Sequence, residues 1–246
     1  MTVKSVAMQG RADITVYIPQ AVRSQSSIPV IVLLHGVYGS HLSWAFRGGV
    51  HQVMERSVEA GGTPFVLVMP SDGLWGDGSG YIPHAIQNFE KWIGTEVPSA
   101  VRSAINEVDE GSTFYLSGLS MGGYGAFRVG TIYDIYRGIS AHSSMTDLAQ
   151  MNRFAEERWV EKHKEVELSR VTDILERYHD KLVPMRFDCG FKDPLLIYNQ
   201  VLHDCLKRKG IEHVYEEQLG GHDWNYWHKN ISHTFRFFSA LENPSP

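Results

Sequence analysis

The sequence predicts an α/β protein with a mainly parallel central sheet flanked by helices. Short β-branched runs alternate with longer segments of helical periodicity, which is typical of this class. Several of these runs are apolar almost throughout, as expected of strands covered on both faces. No internal repeat, low-complexity segment or proline-rich linker divides the 246 residues. We therefore expect residues 1–246 to form a single domain.

The predicted elements follow from these patterns in chain order. The predicted strands are ITVYIP (14–19), VIVLLHG (30–36), FVLVMP (65–70), TFYLSG (113–118), RGISA (137–141), MRFDCG (185–190) and HVYEEQL (213–219). Apolar residues at spacings of three and four predict helices over 84–108, 121–133, 194–209 and 227–240. Gly210 follows the basic end of the third helix, and glycine commonly ends a helix in this way.

Composition narrows the classes of molecule that this protein is expected to bind. The net charge of -5 and the sequence pI near 6.2 provide no basic field for nucleic acid or for an anionic membrane, so a small molecule is the expected partner. The N-terminal stretch lacks a signal-peptide pattern, and no segment approaches the roughly 18 apolar residues that span a bilayer. Only Cys189 and Cys205 are present. They are expected to be buried thiols in a cytoplasmic protein, and a single disulfide between them is the alternative.

The segment SGLSMGGYG, residues 117–125, places Ser120 in a G-x-S-x-G pattern. Its glycines allow the tight strand-to-helix turn that lifts a serine hydroxyl clear of a sheet. A strand-like run precedes the motif and a helix-compatible run follows it, which is the context that the pattern requires. A glycine-rich turn with an incidental serine is the alternative.

A nucleophilic serine needs a base to accept its proton and an acid to orient that base. In a sheet of this type the three residues follow the chain order serine, acid, histidine. Asp193 follows the strand MRFDCG, and His222 follows the last predicted strand after two glycines. Asp188 competes for the role of acid, but it lies within the strand and is expected to point into the structure. Asp223 is the other alternative.

The other histidines either precede Ser120 or lie in or near predicted helices and strands, so His222 is the predicted base. The negative oxygen of a tetrahedral intermediate requires backbone N–H donors. Met121, directly after the serine, supplies one. The loop HGVYGS after the second predicted strand supplies the other through Val37, with His35 and Gly36 shaping the loop.

Four segments, LLHGVYGSHLSW, GLSMGGYGAF, DCGFKDPL and GGHDWNYW, together resemble the esterase D-like branch of the α/β-hydrolase fold, nearest to its tributyrin-type carboxylesterases. The resemblance covers about residues 14–240. It implies Ser120, Asp193 and His222 as the triad and Val37 and Met121 as the oxyanion donors. Residues 72–83 and the charged, helical stretch 145–182 depart from the family's pattern. The stretch 145–182 is either a long crossover or a small helical cap over the active site.

The resemblance implies a serine carboxylesterase that hydrolyses short-chain acyl esters without a cofactor. An S-formylglutathione hydrolase-like thioesterase and a carbohydrate acetyl or feruloyl esterase are alternatives. A non-catalytic binding module is disfavoured because every triad residue is present. The spacing of His222, Asp223 and His228 matches no familiar metal-ligand set. Tyr38, Trp75 and Trp224 are the predicted substrate-binding residues. The sequence is compatible with a homo-oligomer.

Overall fold

The structure, a computed structural model, describes residues 1–73, 76–156, 158–163 and 166–244. Eight strands of the described residues form one sheet in the order β1-β2-β4-β3-β5-β6-β7-β8. The strands are β1 Thr2–Ser5, β2 Gly10–Tyr17, β3 Val30–Leu34, β4 Val66–Pro70, β5 Phe114–Leu119, β6 Tyr136–His142, β7 Met185–Gly190 and β8 Val214–Gln218. Strands β3 to β8 are parallel to one another, whereas β2 pairs in antiparallel fashion with both β1 and β4 at one edge. The prediction of a mainly parallel sheet is confirmed.

The helices cover both faces of this sheet. They are α1 Ser43–Phe46, α2 Val50–Glu59, α3 Phe89–Lys91, α4 Val97–Ala104, α5 Met121–Ile132, α6 Trp159–Lys162, α7 Val171–Arg177, α8 Leu196–Arg208 and α9 Trp224–Glu242. A π-helical turn, Trp92–Glu96, joins α3 to α4. Short 3₁₀ turns cover Gln20–Val22, Leu148–Arg153 and His179–Lys181. None of these helices is both long and apolar enough for a membrane crossing within the described residues.

The alternation of side chains along β3 explains the two layers. Val30, Val32 and Leu34 belong to the core on one face, together with α4 and α5. Ile31 and Leu33 belong to the core on the other face, where α2 and α9 pack. Because both faces are covered, a central strand buries every residue and reads as continuously apolar.

Several predicted boundaries are wrong for local reasons. Strand β1 was not predicted because its four residues, TVKS, carry too little alternation, and α2 was also missed. The helix expected over 84–108 begins only at Phe89, after Asn88 accepts a hydrogen bond from the Lys91 N–H. Helix α9 begins at Trp224 rather than at 227 because the side chain of Asp223 caps it by accepting from the Tyr226 N–H.

The segment 145–182 contains the small helical insertion that the sequence predicted. Its described residues form the 3₁₀ turn Leu148–Arg153, the helices α6 and α7 and the 3₁₀ turn His179–Lys181. Trp159 of α6 donates from its indole nitrogen to the Gly78 carbonyl at 2.7 Å. The Glu156 N–H donates to the Tyr38 hydroxyl at 3.1 Å. The insertion is therefore attached to the loops at the carboxyl end of the sheet.

Candidate active site

Ser120 stands at the turn between β5 and α5. It has φ 54° and ψ -117°, a conformation that costs a non-glycine residue about 1–3 kcal/mol. Its backbone N–H donates to the His142 carbonyl at 2.9 Å. The turn needs glycines because a Cβ on Gly118 would lie 2.1 Å from the Gly122 carbonyl oxygen. A Cβ on Gly122 would lie 2.4 Å from the Leu34 oxygen, so helix α5 could not approach β3 as closely.

The three side chains predicted to form a triad lie together at the carboxyl end of the sheet. His222 Nε2 is 3.0 Å from Ser120 Oγ, and His222 Nδ1 is 2.9 Å from Asp193 Oδ2 and 3.1 Å from Asp193 Oδ1. The Asp193 side chain is fully buried, whereas 15% of the His222 side chain is exposed. This geometry allows the imidazole to take a proton from the serine hydroxyl while a carboxylate holds its other nitrogen.

Asp193 is kept ionised by its neighbours. Burial raises the pKa of its carboxyl, but the hydrogen bond and charge of His222 and the N–H of Leu195 outweigh burial and hold that pKa below its ordinary value. The Leu195 N–H donates to Asp193 Oδ1 at 2.8 Å. The acid is therefore fixed in place by the first turn of the chain that leads into α8.

Asp188, the competing acid, is fully buried. Its carboxylate lies 2.9 Å from His142 Nδ1 and 2.8 Å from the Arg186 guanidinium, and it accepts a hydrogen bond from the Tyr226 hydroxyl at 2.7 Å. Burial raises the pKa of Asp188, but His142 and Arg186 hold it well below its ordinary value. Asp188 thus belongs to a buried ionic cluster. Asp223 caps α9 instead of contacting the imidazole.

The two predicted oxyanion donors belong to two different segments, the start of α5 and the loop after β3. Met121 is the first residue of α5, where a backbone N–H has no partner within the helix. Val37 lies in the loop after β3 and lines the same cavity as Ser120. Among the described residues, neither N–H has an acceptor. Both donors are thus available to an oxygen bound beside Ser120.

A buried ion pair supports the loop that carries Val37. His35 Nε2 lies 3.4 Å from Asp72 Oδ1, and both side chains are almost fully buried. Burial lowers the pKa of His35, but the charge and hydrogen bond of Asp72 raise it above its ordinary value. Tyr38 adopts φ 57° and donates its N–H to the Asp77 carbonyl at 2.8 Å. The loop is therefore held at both ends.

A cavity of about 430 Å³ opens onto Ser120 and His222. Tyr38 and Trp224, two of the predicted substrate-binding residues, line it, although Trp224 is in a helix rather than a loop. Trp75, the third, lies outside the described residues. Across the described chain, no three histidine, cysteine or acidic side chains are arranged to hold a metal ion.

Two further residues of this cavity were not predicted. Phe154, from the insertion, stacks on the His222 ring at 4.9 Å between centroids with an interplanar angle of 27°. Arg47, just after α1, also lines the cavity. Neither lies in a motif, and only the folded chain brings them to Ser120. The predicted cap over residues 145–182 was the one signal that pointed towards Phe154.

A parallel sheet with a strained serine turn, a histidine after the last strand and an acid after the preceding strand defines the α/β-hydrolase class. The comparisons with known proteins agree with this class. The family described as "Putative esterase" matches residues 5–238. The chain therefore belongs to this esterase family, and it is a serine hydrolase that cleaves esters.

Individual relatives are similar over most of their length. An acetyl esterase from Caldicellulosiruptor saccharolyticus is 27% identical over 237 residues, covering 88% of this chain and 85% of the relative. The solved structure of a ferulic acid esterase is 25% identical, with a TM-score of 0.79 and coverage of 98% and 96% of the two chains. An S-formylglutathione hydrolase from Staphylococcus aureus has a TM-score of 0.81 at 17% identity, covers 97% of each chain and supports the fold alone.

Proposed function

We propose that Ser120, His222 and Asp193 are the catalytic triad of a carboxylesterase for short-chain acyl esters. The observation that carries this proposal is the continuous contact from Ser120 Oγ to His222 Nε2, at 3.0 Å, and from His222 Nδ1 to Asp193, at 2.9 Å. Such an arrangement activates a hydroxyl that is otherwise a weak nucleophile at neutral pH.

The proposed reaction proceeds in two halves. Ser120 Oγ attacks the ester carbonyl carbon while His222 Nε2 takes the hydroxyl proton, and the N–H groups of Val37 and Met121 bind the negative oxygen. His222 then gives the proton to the leaving alkoxide, which departs as an alcohol. Water, deprotonated by His222, attacks the acyl-enzyme and releases the acid, and the proton returns to Ser120. Asp193 holds the imidazole and stabilises its charged form throughout.

The short-acyl preference is supported by the shape of the cavity and by the acetyl esterase relative. Phe154 lies over the imidazole, so it restricts the space beside the nucleophile. Feruloyl ester hydrolysis is the second candidate, because Tyr38 and Trp224 line the cavity and an aromatic acyl or alcohol group could stack on them. A cytoplasmic location is part of the proposal and is supported by the two free thiols, Cys189 and Cys205.

The test is hydrolysis of p-nitrophenyl esters from acetate to octanoate by wild type and by Ser120→Ala. Wild type is expected to prefer short chains, and the variant is expected to lose at least about 1,000-fold in kcat because the attacking oxygen is gone. Ser117→Ala is the matched control, since Ser117 lies on β5, three residues before Ser120, and its buried hydroxyl has no hydrogen-bond partner among the described residues. Full turnover in Ser120→Ala would overturn the assignment.

A further inference from the structure

We propose that Arg47 and Trp224 form a subsite for a carboxylate, so that the preferred substrates are esters that carry a carboxylate group. This inference rests on the proposed function, because it concerns the cavity in which Ser120 would attack the ester. Both residues line that cavity together with Ser120 and His222.

Arg47 is exposed to solvent and lies over the face of an aromatic ring that lines the cavity. It directly follows α1, and its guanidinium carbon is 5.6 Å from the centroid of the Trp224 ring. A guanidinium at this distance is attracted to the ring face, yet the contact leaves its N–H groups free to donate in the plane of the group. The stacked position therefore restricts the directions in which Arg47 can present its donors.

The Trp224 ring, over which Arg47 lies, also packs against neighbouring residues. Trp44 packs edge-on against Trp224 with centroids 5.6 Å apart and an interplanar angle of 89°. Trp227 does the same at 5.2 Å and 85°. Gly48 completes the enclosure, since a Cβ there would lie 2.9 Å from Trp224 Cζ3. Trp224 is thus a fixed platform, and binding at Arg47 needs little further ordering of this part of the site.

The charge of Arg47 has no internal counterpart among the described residues. No carboxylate of the described chain forms an ion pair with its guanidinium. Asp223 is the acidic side chain that lines the same cavity, but its Oδ1 accepts from the Tyr226 N–H at 3.0 Å. That contact places its charge at the N-terminus of α9, where the helix dipole offsets it. The cavity therefore retains an unpaired positive group.

This arrangement matches the chemistry of a carboxylate. The guanidinium offers two parallel N–H donors in the spacing of the two carboxylate oxygens, and a charge-assisted pair of this kind is stronger than a neutral hydrogen bond. A neutral ester gains nothing comparable from Arg47. The subsite is expected to discriminate between two esters that differ only in this group.

The experiment compares two matched pairs of substrates. On the acyl side, p-nitrophenyl hemisuccinate is compared with its neutral methyl ester. On the alcohol side, 4-acetoxybenzoate is compared with methyl 4-acetoxybenzoate. The value of kcat/KM is measured for wild type, Arg47→Gln, Arg47→Lys and Arg137→Gln. Arg137 is exposed at the start of β6, which is parallel to β5, so it lies at the end of these strands opposite to Ser120 and its variant removes the same charge far from the cavity.

In at least one pair, Arg47→Gln is expected to lower kcat/KM for the carboxylated ester by about tenfold and to leave the neutral ester within about twofold. Arg47→Lys is expected to lie between, because it keeps the charge but loses the flat fork, and Arg137→Gln is expected to match wild type. The preference for the carboxylated ester over the neutral ester should also weaken as salt is added. Equal losses on charged and neutral esters, or no loss in either pair, would overturn the subsite.

Failure of the subsite can be separated from failure of the proposed function. If turnover of the neutral esters is abolished by Ser120→Ala while Arg47→Gln shows no discrimination, the esterase proposal stands and the subsite is wrong. If neutral esters are hydrolysed equally with and without the Ser120 hydroxyl, the proposed function is wrong, and the subsite that depends on it is wrong too.

Discussion

At the scale of single residues, Phe154 connects the insertion to the chemistry. Its ring stacks on the His222 imidazole and lines the cavity beside Ser120. Removing it would open space for additional acyl carbons, each of which gains about 0.8 kcal/mol on burial. The size of this one side chain is therefore expected to set the acyl-length preference.

Phe154→Ala is expected to raise the ratio of kcat/KM for octanoate over acetate esters by about tenfold, since one or two further CH₂ groups would become buried. Phe237→Ala is the control, because Phe237 is also half-buried but lies far along α9, outside the cavity. The comparison uses p-nitrophenyl esters of both acids. An unchanged ratio in Phe154→Ala would show that other walls of the cavity limit the acyl chain.

At the scale of elements, the contact between β5, α5 and the end of β3 determines where the serine turn lies. Gly122 on α5 touches the backbone of Leu34 and His35 so closely that a methyl group would overlap both carbonyl oxygens. Helix α5 carries the Met121 N–H, while His35 begins the loop that carries Val37. The two predicted oxyanion donors therefore depend on a single close approach.

Gly122→Ala is expected to lower the free energy of unfolding by about 1–3 kcal/mol because the added methyl overpacks the contact. It is also expected to lower kcat by about 10- to 100-fold with little change in KM, because the Met121 N–H is displaced. Gly10→Ala is the matched control, since a Cβ there meets only the Met8 oxygen at 3.9 Å. Wild-type stability and kcat in Gly122→Ala would contradict the assigned packing.

At the scale of the whole molecule, a buried ionic cluster joins three elements behind the active site. Asp188 on β7 contacts His142 on β6, Arg186 on its own strand and the Tyr226 hydroxyl on α9. His142 also supplies the carbonyl that accepts the Ser120 N–H. Removing one partner of a buried ion pair leaves an uncompensated charge and is strongly destabilising.

Asp188→Asn is expected to lower the free energy of unfolding at pH 7 by about 3–5 kcal/mol. The folded pKa of Asp188 lies below its unfolded value, so its stabilising effect is complete above about pH 4 and is lost as the pH falls further. The difference between wild type and variant, measured by denaturant unfolding, should therefore narrow below about pH 4. Asp180→Asn, which removes an exposed carboxylate, should change stability by less than about 0.5 kcal/mol. Equal effects of the two variants would contradict the account of the cluster.

The sequence could predict those features that depend on local pattern. The apolar runs of β3, β4 and β5 mark buried parallel strands, and the glycines around Ser120 mark a turn that other residues cannot make. The acid and the histidine could be placed because each follows a strand, and parallel strands end at one edge. The sheet then brings the acid and the histidine together, because both follow parallel strands that end at the same edge.

Features that depend on distant contacts could not be predicted. Phe154 lies in a charged segment with no motif, and Arg47 follows a helix of only four residues. Strand β1 is short and polar, and it is recognisable only through its pairing with β2. The ionic role of Asp188 depends on His142 in the neighbouring strand, 46 residues earlier in the chain. In each case the information lies in the packing between elements.

The central claim is that Ser120 carries the acyl group during turnover. The most direct measurement is rapid acid quenching of the enzyme during hydrolysis of p-nitrophenyl acetate, followed by mass spectrometry of its peptides. The account predicts a pre-steady-state burst of p-nitrophenol and a single acetyl group on the peptide that contains Ser120, absent from Ser120→Ala. Burst kinetics with the acetyl group on another residue, or turnover with no covalent acyl group at all, would contradict it.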